Sequence, residues 1–336
     1  MLSSVFLPTM AAFLTRSAQV RVPQRGLRRT TAVRMPEGPE CTIHAERLNG
    51  AFGGRRLVRA EILSGRYQSK APTGWDALQQ GLPATMSAVR SHGKFIWWCF
   101  TRENASHLSL WSTLGMTGKW SRARGTHARI LLELQASEGS GGGAASELLY
   151  YNDQRNFGTI TVCTDAAVLD AKLASLGPSW LAAGGLPPEE FTGVVARQCK
   201  TKRSGNVPLA KFLMDQGKTA GIGNYILSET LYLARVWPWA RCADLDDEAW
   251  GAVHAAATDV IGRSYAAQSA LARRGGSDAD VSATYGTLFT FELYAYRRRT
   301  SPEGHAVRQD VGPHGRSVFW VPERQTRGKA DVHVES

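Results

Sequence analysis

The sequence predicts an α+β protein in which an N-terminal helix and a β-sandwich precede a helical domain with a C-terminal β-hairpin. Three observations lead to this fold class. The length of 336 residues suits about two domains. β-type runs separated by turn residues fill much of the segment 56–163. Helical periodicity then replaces the period of two beyond a boundary rich in Pro and Gly at residues 176–190.

The first element is an amphipathic helix that begins within the segment MPEGPE, residues 35–40. Pro36 stands at its first helical position, with Glu37 and Glu40 in the first turn, which is typical of a helix start. Apolar residues then recur at helical spacing, and Gly53-Gly54 ends the helix; the apolar stripe is Cys41, Ala45, Leu48 and Phe52.

Six β-type runs follow, and the turns between them predict a sandwich: 56–63, 94–100, 107–116, 127–134, 147–152 and 157–163. The Gly/Ser stretch 136–146 predicts a flexible loop between two of these strands. The first domain is therefore expected over residues 35–175.

The second domain is expected over residues 191–290, after a linker at 176–190. Its helices are predicted at 207–216, 223–235 and 247–265. A β-hairpin in 291–325 has its tip at residues 312–315, and a tail occupies 326–336.

The net charge of +11 is unevenly distributed, because six arginines and no acidic residue lie in the first 34 residues. The remaining chain carries +5, which is compatible with phosphate binding but does not establish it. Residues 1–34 have the composition of an organelle transit peptide, with a plastid favoured over a mitochondrion; a disordered basic tail is the alternative. Translation from Met35 would instead allow a nuclear protein.

The same composition argues against several classes of protein and site. No stretch approaches the ~18 uncharged apolar residues of a membrane span. The five cysteines are widely scattered, which argues against a structural zinc site or a disulfide framework; they are Cys41, Cys99, Cys163, Cys199 and Cys242. We expect neither a metal nor another cofactor.

Three segments carry residues suited to nucleophilic catalysis or to phosphate binding, although each also has an ordinary structural explanation. Removal of Met35 would leave Pro36 with a secondary amine, a nucleophile that can form an iminium ion, and Glu37 could transfer protons beside it. Asn224, at a helix start within GIGNYILSE, suits either a phosphate contact or a plain helix cap. Arg316, just past the hairpin tip, suits a bidentate phosphate contact or a solvated surface position.

In this order, MPEGPE, GIGNYILSE and GRSVFWVPERQ resemble the corresponding motifs of the Fpg/Nei family of DNA glycosylases, over about residues 35–325. Within that family the chain resembles the Nei-like enzymes with a zincless finger, since the hairpin lacks the four cysteine ligands of zinc-finger members. The resemblance implies a helix-two-turn-helix domain, a bifunctional DNA glycosylase and abasic-site lyase acting on oxidised bases, pyrimidines above all, and a monomer that binds double-stranded DNA.

The resemblance also implies roles for particular residues. Pro36 is the nucleophile, Glu37 the acid/base partner and Lys94 the family's β-strand lysine at the active site, while Glu40 supports them. Contacts to the DNA backbone come from Lys211, Asn224 and Arg316. The gap left by a flipped nucleotide is filled by Met116, Arg155 and Phe157, although Met116 and Phe157 are equally compatible with ordinary sandwich core. Asn156 stands where many family members have a second arginine.

Two other functions remain open. A non-catalytic protein that binds damaged DNA could use the same fold with its proline amine blocked, and an RNA- or ribosome-associated binder could contain a similar helical element. Glu37 and the MPEGPE segment favour the enzyme, since neither binder needs them.

Overall fold

The computed structural model describes residues 35–102, 107–136, 146–274 and 292–328. These residues form two compact units. The sandwich unit contains the described residues up to Gly177 together with 264–274, and the helical unit contains Pro178–Arg263 and 292–328. The predicted leader 1–34 lies outside the described residues, as do most of the Gly/Ser loop and residues 329–336 of the tail.

The first helix, α1, spans Gly38–Phe52 and therefore begins two residues later than predicted. Pro36 precedes the helix, and Glu37 is its N-cap because it accepts the Glu40 N–H while Glu40 accepts the Glu37 N–H. The predicted apolar stripe is fully buried, with exposures of 0–2% for its four residues. Gly53 closes the helix through its N–H to the Asn49 carbonyl, at 2.9 Å.

The sandwich unit continues with eight strands and three short helices in this order: β1 (Arg56–Ile62), α2 (Arg66–Ser69), α3 (Trp75–Gln80), β2 (Ala84–His92), β3 (Phe95–Thr101), β4 (Leu108–Thr113), β5 (Lys119–Ser121), β6 (Ala128–Gln135), β7 (Ser146–Asn152), β8 (Thr159–Cys163) and α4 (Ala166–Ala174). Neighbouring strands are antiparallel, in the order β5-β7-β6-β1-β2-β3-β4-β8. Each of the six predicted β-runs overlaps a strand.

Contacts between distant strands give this sheet its two layers. β3 and β5 are five positions apart, about 24 Å in a flat sheet. Yet the rings of Trp98 on β3 and Trp120 on β5 have centroids only 5.3 Å apart. The Trp120 indole N–H also donates to the Ser112 hydroxyl on β4, at 3.1 Å. The sheet therefore folds over itself around one apolar core, as the predicted sandwich requires.

Two strands lack a clear signal in the sequence. In β2, Ala84 and Met86 are buried two positions apart, but a bulge between Met86 and Ala88 breaks the alternation, so the next buried residue is Val89. β5 has only three residues, too few for a recognisable period.

The helical unit contains α5 (Pro188–Cys199), α6 (Lys202–Gly205), α7 (Leu209–Met214), α8 (Asn224–Ala234), α9 (Asp247–Arg274), β9 (Arg308–Val311) and β10 (Ser317–Trp320). α7 and α8 are shorter than predicted, since Pro208 and Gly223 are their N-caps. α9 is longer than predicted, and its residues from Ser264 onward belong to the sandwich unit. β9 and β10 pair antiparallel, from Ser317 opposite Val311 to Trp320 opposite Arg308.

Within the described ranges, the structure has no helix that is long and apolar enough to cross a membrane.

Candidate active site

Pro36 and Glu37 are buried at the N-terminal end of α1, where Glu37 is only 2% exposed. One function of the Glu37 carboxylate is structural, because it accepts the backbone N–H of Glu40. A carboxylate has about four acceptor positions, so this bond leaves capacity for a further proton or ligand. The helix start also presents the positive end of the helix dipole, which stabilises negative charge beside Pro36.

Glu40 is held on both of its oxygens. Its Oε2 accepts the Glu37 N–H at 2.9 Å, and its Oε1 accepts a short hydrogen bond from the amide of Gln268 on α9. Gln268 is fully buried and donates to the Ser264 hydroxyl as well, at 2.9 Å. Through Glu40, Gln268 therefore fixes the backbone of Glu37. The sequence contains no signal for this residue, because it lies more than 200 positions away on an Ala-rich helix.

Lys94 lies in the tight turn between β2 and β3, beside Gly93, and not on a strand as the resemblance implied. Gly93 has φ +57° at the first turn position, which a glycine adopts without strain. The charge of Lys94 acts on a side chain of α1. Burial raises the pKa of the Cys41 thiol, the charges of Glu40 and Glu37 raise it further, and the charge of Lys94 lowers it. The Cys41 thiol therefore lies within electrostatic reach of Lys94 and of both glutamates.

Met116, Arg155 and Phe157 meet at the surface of the sandwich unit. The Arg155 guanidinium contacts the Met116 sulfur at 3.2 Å, and the Arg155 N–H donates to the Thr117 hydroxyl at 3.0 Å. Phe157 is 61% exposed, and Met116 is half-buried in a turn. Sandwich core is therefore the wrong interpretation for Phe157, whose ring is available to a ligand.

The loop that carries Met116 and the loop that carries Arg155 and Phe157 are held together by close packing and hydrogen bonds. Gly115, with φ +57°, packs so closely that a Cβ there would lie 2.7 Å from the Gly158 nitrogen. Asp153 bridges them, since its two oxygens accept from the Thr117 hydroxyl at 2.5 Å and the Gly158 N–H at 2.8 Å. Asn156 takes a left-handed φ of +59° between Arg155 and Phe157. A fixed platform therefore supports an exposed arginine and an exposed aromatic ring.

In the helical unit, Asn224 is the first residue of α8, and Gly223 occupies the cap position. The plain cap predicted as an alternative is therefore wrong. The Asn224 Oδ1 instead faces the Nε2 of His314, at 3.4 Å. Gln216 orders the preceding turn, because its amide donates to the carbonyls of Met214 and Ile222 and accepts the Gly221 N–H.

Lys211 and Arg316 are exposed side chains on two different elements of the helical unit. Lys211 lies on α7, whose other face is buried through Leu209, Ala210, Phe212 and Leu213. Arg316 follows the hairpin tip, which is closed by the Gly312 N–H to the Arg316 carbonyl at 2.7 Å. Both cations are thus presented to solvent from well-packed backbone, as a phosphate contact requires.

A buried carboxylate anchors the segment that leads into the hairpin. Glu229 on α8 is 0% exposed and accepts three consecutive backbone N–H groups, from Tyr294, Ala295 and Tyr296, at 2.6, 2.9 and 2.7 Å. Burial raises the pKa of Glu229, and these hydrogen bonds counteract the rise. Sequence reasoning missed this function, although an acidic residue inside the apolar helix NYILSETLYLA is the signal that could have found it.

No group of three or more metal-ligating side chains is present within the described parts of the chain. The five cysteines are reduced, and each is buried or half-buried.

Two domain models of one protein family match the chain, in order. "Formamidopyrimidine-DNA glycosylase N-terminal domain" matches residues 35–160, and "Formamidopyrimidine-DNA glycosylase H2TH domain" matches residues 186–273. Together they span well over half of the sequence. The chain belongs to the formamidopyrimidine-DNA glycosylase family. This family consists of DNA glycosylases of base excision repair, so the resemblance to Fpg enzymes that the three motifs indicated is confirmed.

Two curated formamidopyrimidine-DNA glycosylases align with the chain along nearly their whole length. The chain is 27% identical over 309 residues to the formamidopyrimidine-DNA glycosylase of an Exiguobacterium species, covering 87% of this chain and 100% of that protein. It is 29% identical over 303 residues to that of Chloroflexus aurantiacus, covering 87% and 98%.

Solved structures of the family have the same fold. A complex of Lactococcus lactis Fpg with abasic-site DNA has a TM-score of 0.67 at 19% identity, covering 86% of this chain and 99% of that one. A complex of the same enzyme with DNA containing an oxidised pyrimidine has a TM-score of 0.68 at 22% identity, covering 87% and 100%.

Proposed function

We propose that this protein is a bifunctional DNA glycosylase and abasic-site lyase that excises oxidised bases, pyrimidines among them, from double-stranded DNA. The observation that carries the proposal is the arrangement at α1. Pro36 directly precedes a buried glutamate at a helix N-terminus, and Glu40 and Gln268 hold that glutamate's backbone in position. A protein that only bound DNA would not need a buried carboxylate beside a proline.

The mechanism requires the mature chain to begin at Pro36, because only then is its nitrogen a secondary amine. The match to the N-terminal domain model begins at residue 35, and the leader composition provides a route for removal of the preceding residues. Translation from Met35 with loss of that methionine would give the same terminus.

In the proposed reaction, the Pro36 nitrogen bonds to C1′ of the damaged nucleoside and the bond from C1′ to the base breaks, with the amine proton passing to the departing base. Glu37 then protonates O4′ as the C1′–O4′ bond breaks, which opens the sugar ring and leaves an iminium ion between the Pro36 nitrogen and C1′. The iminium ion acidifies C2′, so that loss of a C2′ proton expels the 3′ phosphate and cleaves the strand. The Lys94 ammonium, which like Glu37 and Glu40 acts on the buried Cys41 thiol, supplies a positive charge to this site.

The target base must leave the stack before this chemistry, which costs a few kcal/mol. Met116, Arg155 and Phe157 are suited to fill the gap, since an exposed ring and a guanidinium offer stacking surface on a fixed platform. Lys211, Asn224 and Arg316 supply the phosphate contacts, which fix the position of the DNA without reading its sequence.

We also propose that the hairpin is a zincless finger of the Nei-like kind. The sequence has no Cys beyond residue 242, so the four thiolates of a zinc finger are lacking. Side-chain contacts hold the hairpin, including the Trp320 indole N–H to Asp310 at 2.7 Å and the edge contact of Tyr296 with Phe319. A chelator should therefore change neither folding nor excision. Stoichiometric zinc that is lost together with activity would refute this assignment.

Glu37→Gln tests the catalytic proposal. The amide oxygen can still accept the Glu40 N–H, so folding and lesion-DNA affinity should persist, while loss of proton transfer slows excision by about 10²–10⁴-fold. Asp170→Asn, the same change at an exposed position on α4, is the matched control and should cut at the wild-type rate. Excision by Glu37→Gln as fast as by the control would contradict the acid/base assignment.

Arg316→Ala tests the phosphate contact separately from the chemistry. Loss of a charge-assisted hydrogen bond should weaken DNA binding by about 1–3 kcal/mol. Arg308→Ala, which removes an exposed arginine from β9 of the same hairpin, controls for net charge. If both variants weaken DNA binding equally, Arg316 contributes only general positive charge, and the specific phosphate contact is contradicted.

A further inference from the structure

His314, at the tip of the hairpin, has a hydrogen-bonding arrangement that the reaction leaves unexplained. Its Nε2 lies 3.4 Å from Oδ1 of Asn224 on α8. The Nδ1 atom is buried and has no hydrogen-bond partner among the described residues. A buried N–H without an acceptor is rarer and costlier than an unpaired acceptor, so the ring hydrogen lies on Nε2, where Oδ1 can accept it.

The hairpin tip is built to hold this ring. A Cβ on Gly312 would lie 2.5 Å from Cε1 and 2.8 Å from Nδ1 of His314, so any larger residue at 312 would displace the imidazole. Burial lowers the pKa of His314, and the nearby positive charge of Arg316 lowers it further. The ring is therefore neutral at pH 7 and has a single N–H to donate.

That single donor determines which way the Asn224 amide faces. A carboxamide has an accepting end and a donating end of nearly equal size, and its two orientations differ little in energy unless a neighbour distinguishes them. With Oδ1 bound to the His314 N–H, the NH₂ group is the end left for another ligand. The reverse orientation would turn the carbonyl oxygen toward an approaching anion and repel it.

We propose that His314 is a positioning residue that orients the Asn224 amide so that its NH₂ group donates to a DNA phosphate. The inference rests on the proposed function, in which Asn224 is a phosphate ligand, and adds a residue to it. His314 does not touch the phosphate itself. Its neutral ring contributes geometry, whereas Arg316 contributes charge.

A pair of substitutions of similar volume isolates the donor. His314→Gln keeps an N–H that can reach Asn224, whereas His314→Met fills the same space without one. Both are made in the full chain, together with Asn224→Ala, the double variant Asn224→Ala/His314→Met, and Arg316→Ala. Binding is measured on a duplex containing a tetrahydrofuran abasic-site analogue, at several salt concentrations. The thermal midpoint of each variant shows whether it is folded.

Asn224→Ala and His314→Met should each weaken binding about tenfold, the effect of one hydrogen bond of ~1.4 kcal/mol. The double variant should bind no more weakly than Asn224→Ala alone, and His314→Gln should bind as the wild type does. The salt dependence of binding should keep its slope in both single variants, while Arg316→Ala should reduce that slope by about one.

The outcomes separate the two claims. If Asn224→Ala leaves binding unchanged, Asn224 is no phosphate ligand, and the proposed function loses that contact together with the inference. If Asn224→Ala weakens binding but His314→Met does not, or if their effects add, only the positioning function of His314 is overturned. Weakening by His314→Gln equal to that by His314→Met would likewise overturn it, because the donor would then be irrelevant.

Discussion

The buried carboxylate of Glu229 allows a quantitative prediction about the helical unit. Its Oε2 accepts one backbone N–H and its Oε1 accepts two, all within 2.6–2.9 Å. Glu229→Gln retains one carbonyl oxygen, so at least one buried N–H loses its acceptor, at a cost of about 1–3 kcal/mol. Relief of the buried charge offsets part of this cost, whereas Glu229→Ala removes all three acceptors and should destabilise the unit more.

Urea unfolding measures the loss of global stability in these variants, and amide hydrogen exchange measures the local loss at the three backbone N–H groups. We expect a lower unfolding midpoint and faster exchange of the Tyr294, Ala295 and Tyr296 amides in Glu229→Gln, with larger changes in Glu229→Ala. Glu323→Gln, the same change at an exposed position of the same unit, is the control. The reasoning is refuted if Glu229→Gln matches that control in both measurements.

Three further predictions concern Phe157, Gln268 and two buried cysteines. Phe157→Ala should slow excision from duplex DNA more than from a single strand, which has no gap to fill; equal slowing would exclude that function. Gln268→Leu should lower kcat while leaving lesion-DNA affinity unchanged, because Gln268 acts through Glu40; unchanged kcat would contradict the network. Burial raises the pKa of Cys41, and raises that of Cys242 to about 12, so at pH 8 only about 10⁻⁴ of Cys242 is thiolate. Iodoacetamide should therefore spare both in the folded protein and modify them after denaturation, and rapid labelling of the folded chain would show that they are accessible.

Local patterns predicted the elements whose residues repeat with a clear period. The apolar stripe of α1 and the six β-runs were sufficient for the helix and sandwich, since burial on one face imposes periods of 3.6 and 2. β5 was not predicted because three residues carry no period, and β2 was not predicted because a bulge between Met86 and Ala88 interrupts its alternation of buried and exposed residues. The helix start was wrong by two residues because a capping box with Glu40 places Glu37 at the N-cap, and Pro39 rather than Pro36 lies in the first turn.

The site was less accessible to such reasoning, because its arrangement depends on contacts between residues far apart in the sequence. Gln268 reaches Glu40 across 228 positions, and His314 reaches Asn224 across 90. Neither pair has a local signature. The exposure of Phe157 could not be predicted for the same reason. An aromatic residue beside a strand is equally compatible with core and surface, and the contact between Asp153 and Gly158 that shapes its loop has no signature in the sequence.

The central claim is that the amine of Pro36 attacks the damaged nucleoside, and borohydride trapping tests it most directly. A chain beginning at Pro36 is incubated with a duplex containing an oxidised pyrimidine, borohydride is added during turnover, and the crosslinked peptide is identified by mass spectrometry. The account predicts a stable protein–DNA adduct at Pro36, and none from a chain that keeps residues 1–35, whose proline nitrogen is an amide. Base excision without any trappable adduct would contradict this claim and indicate that an activated water is the nucleophile. An adduct at Lys94 would contradict it as well and would identify Lys94 as the nucleophile.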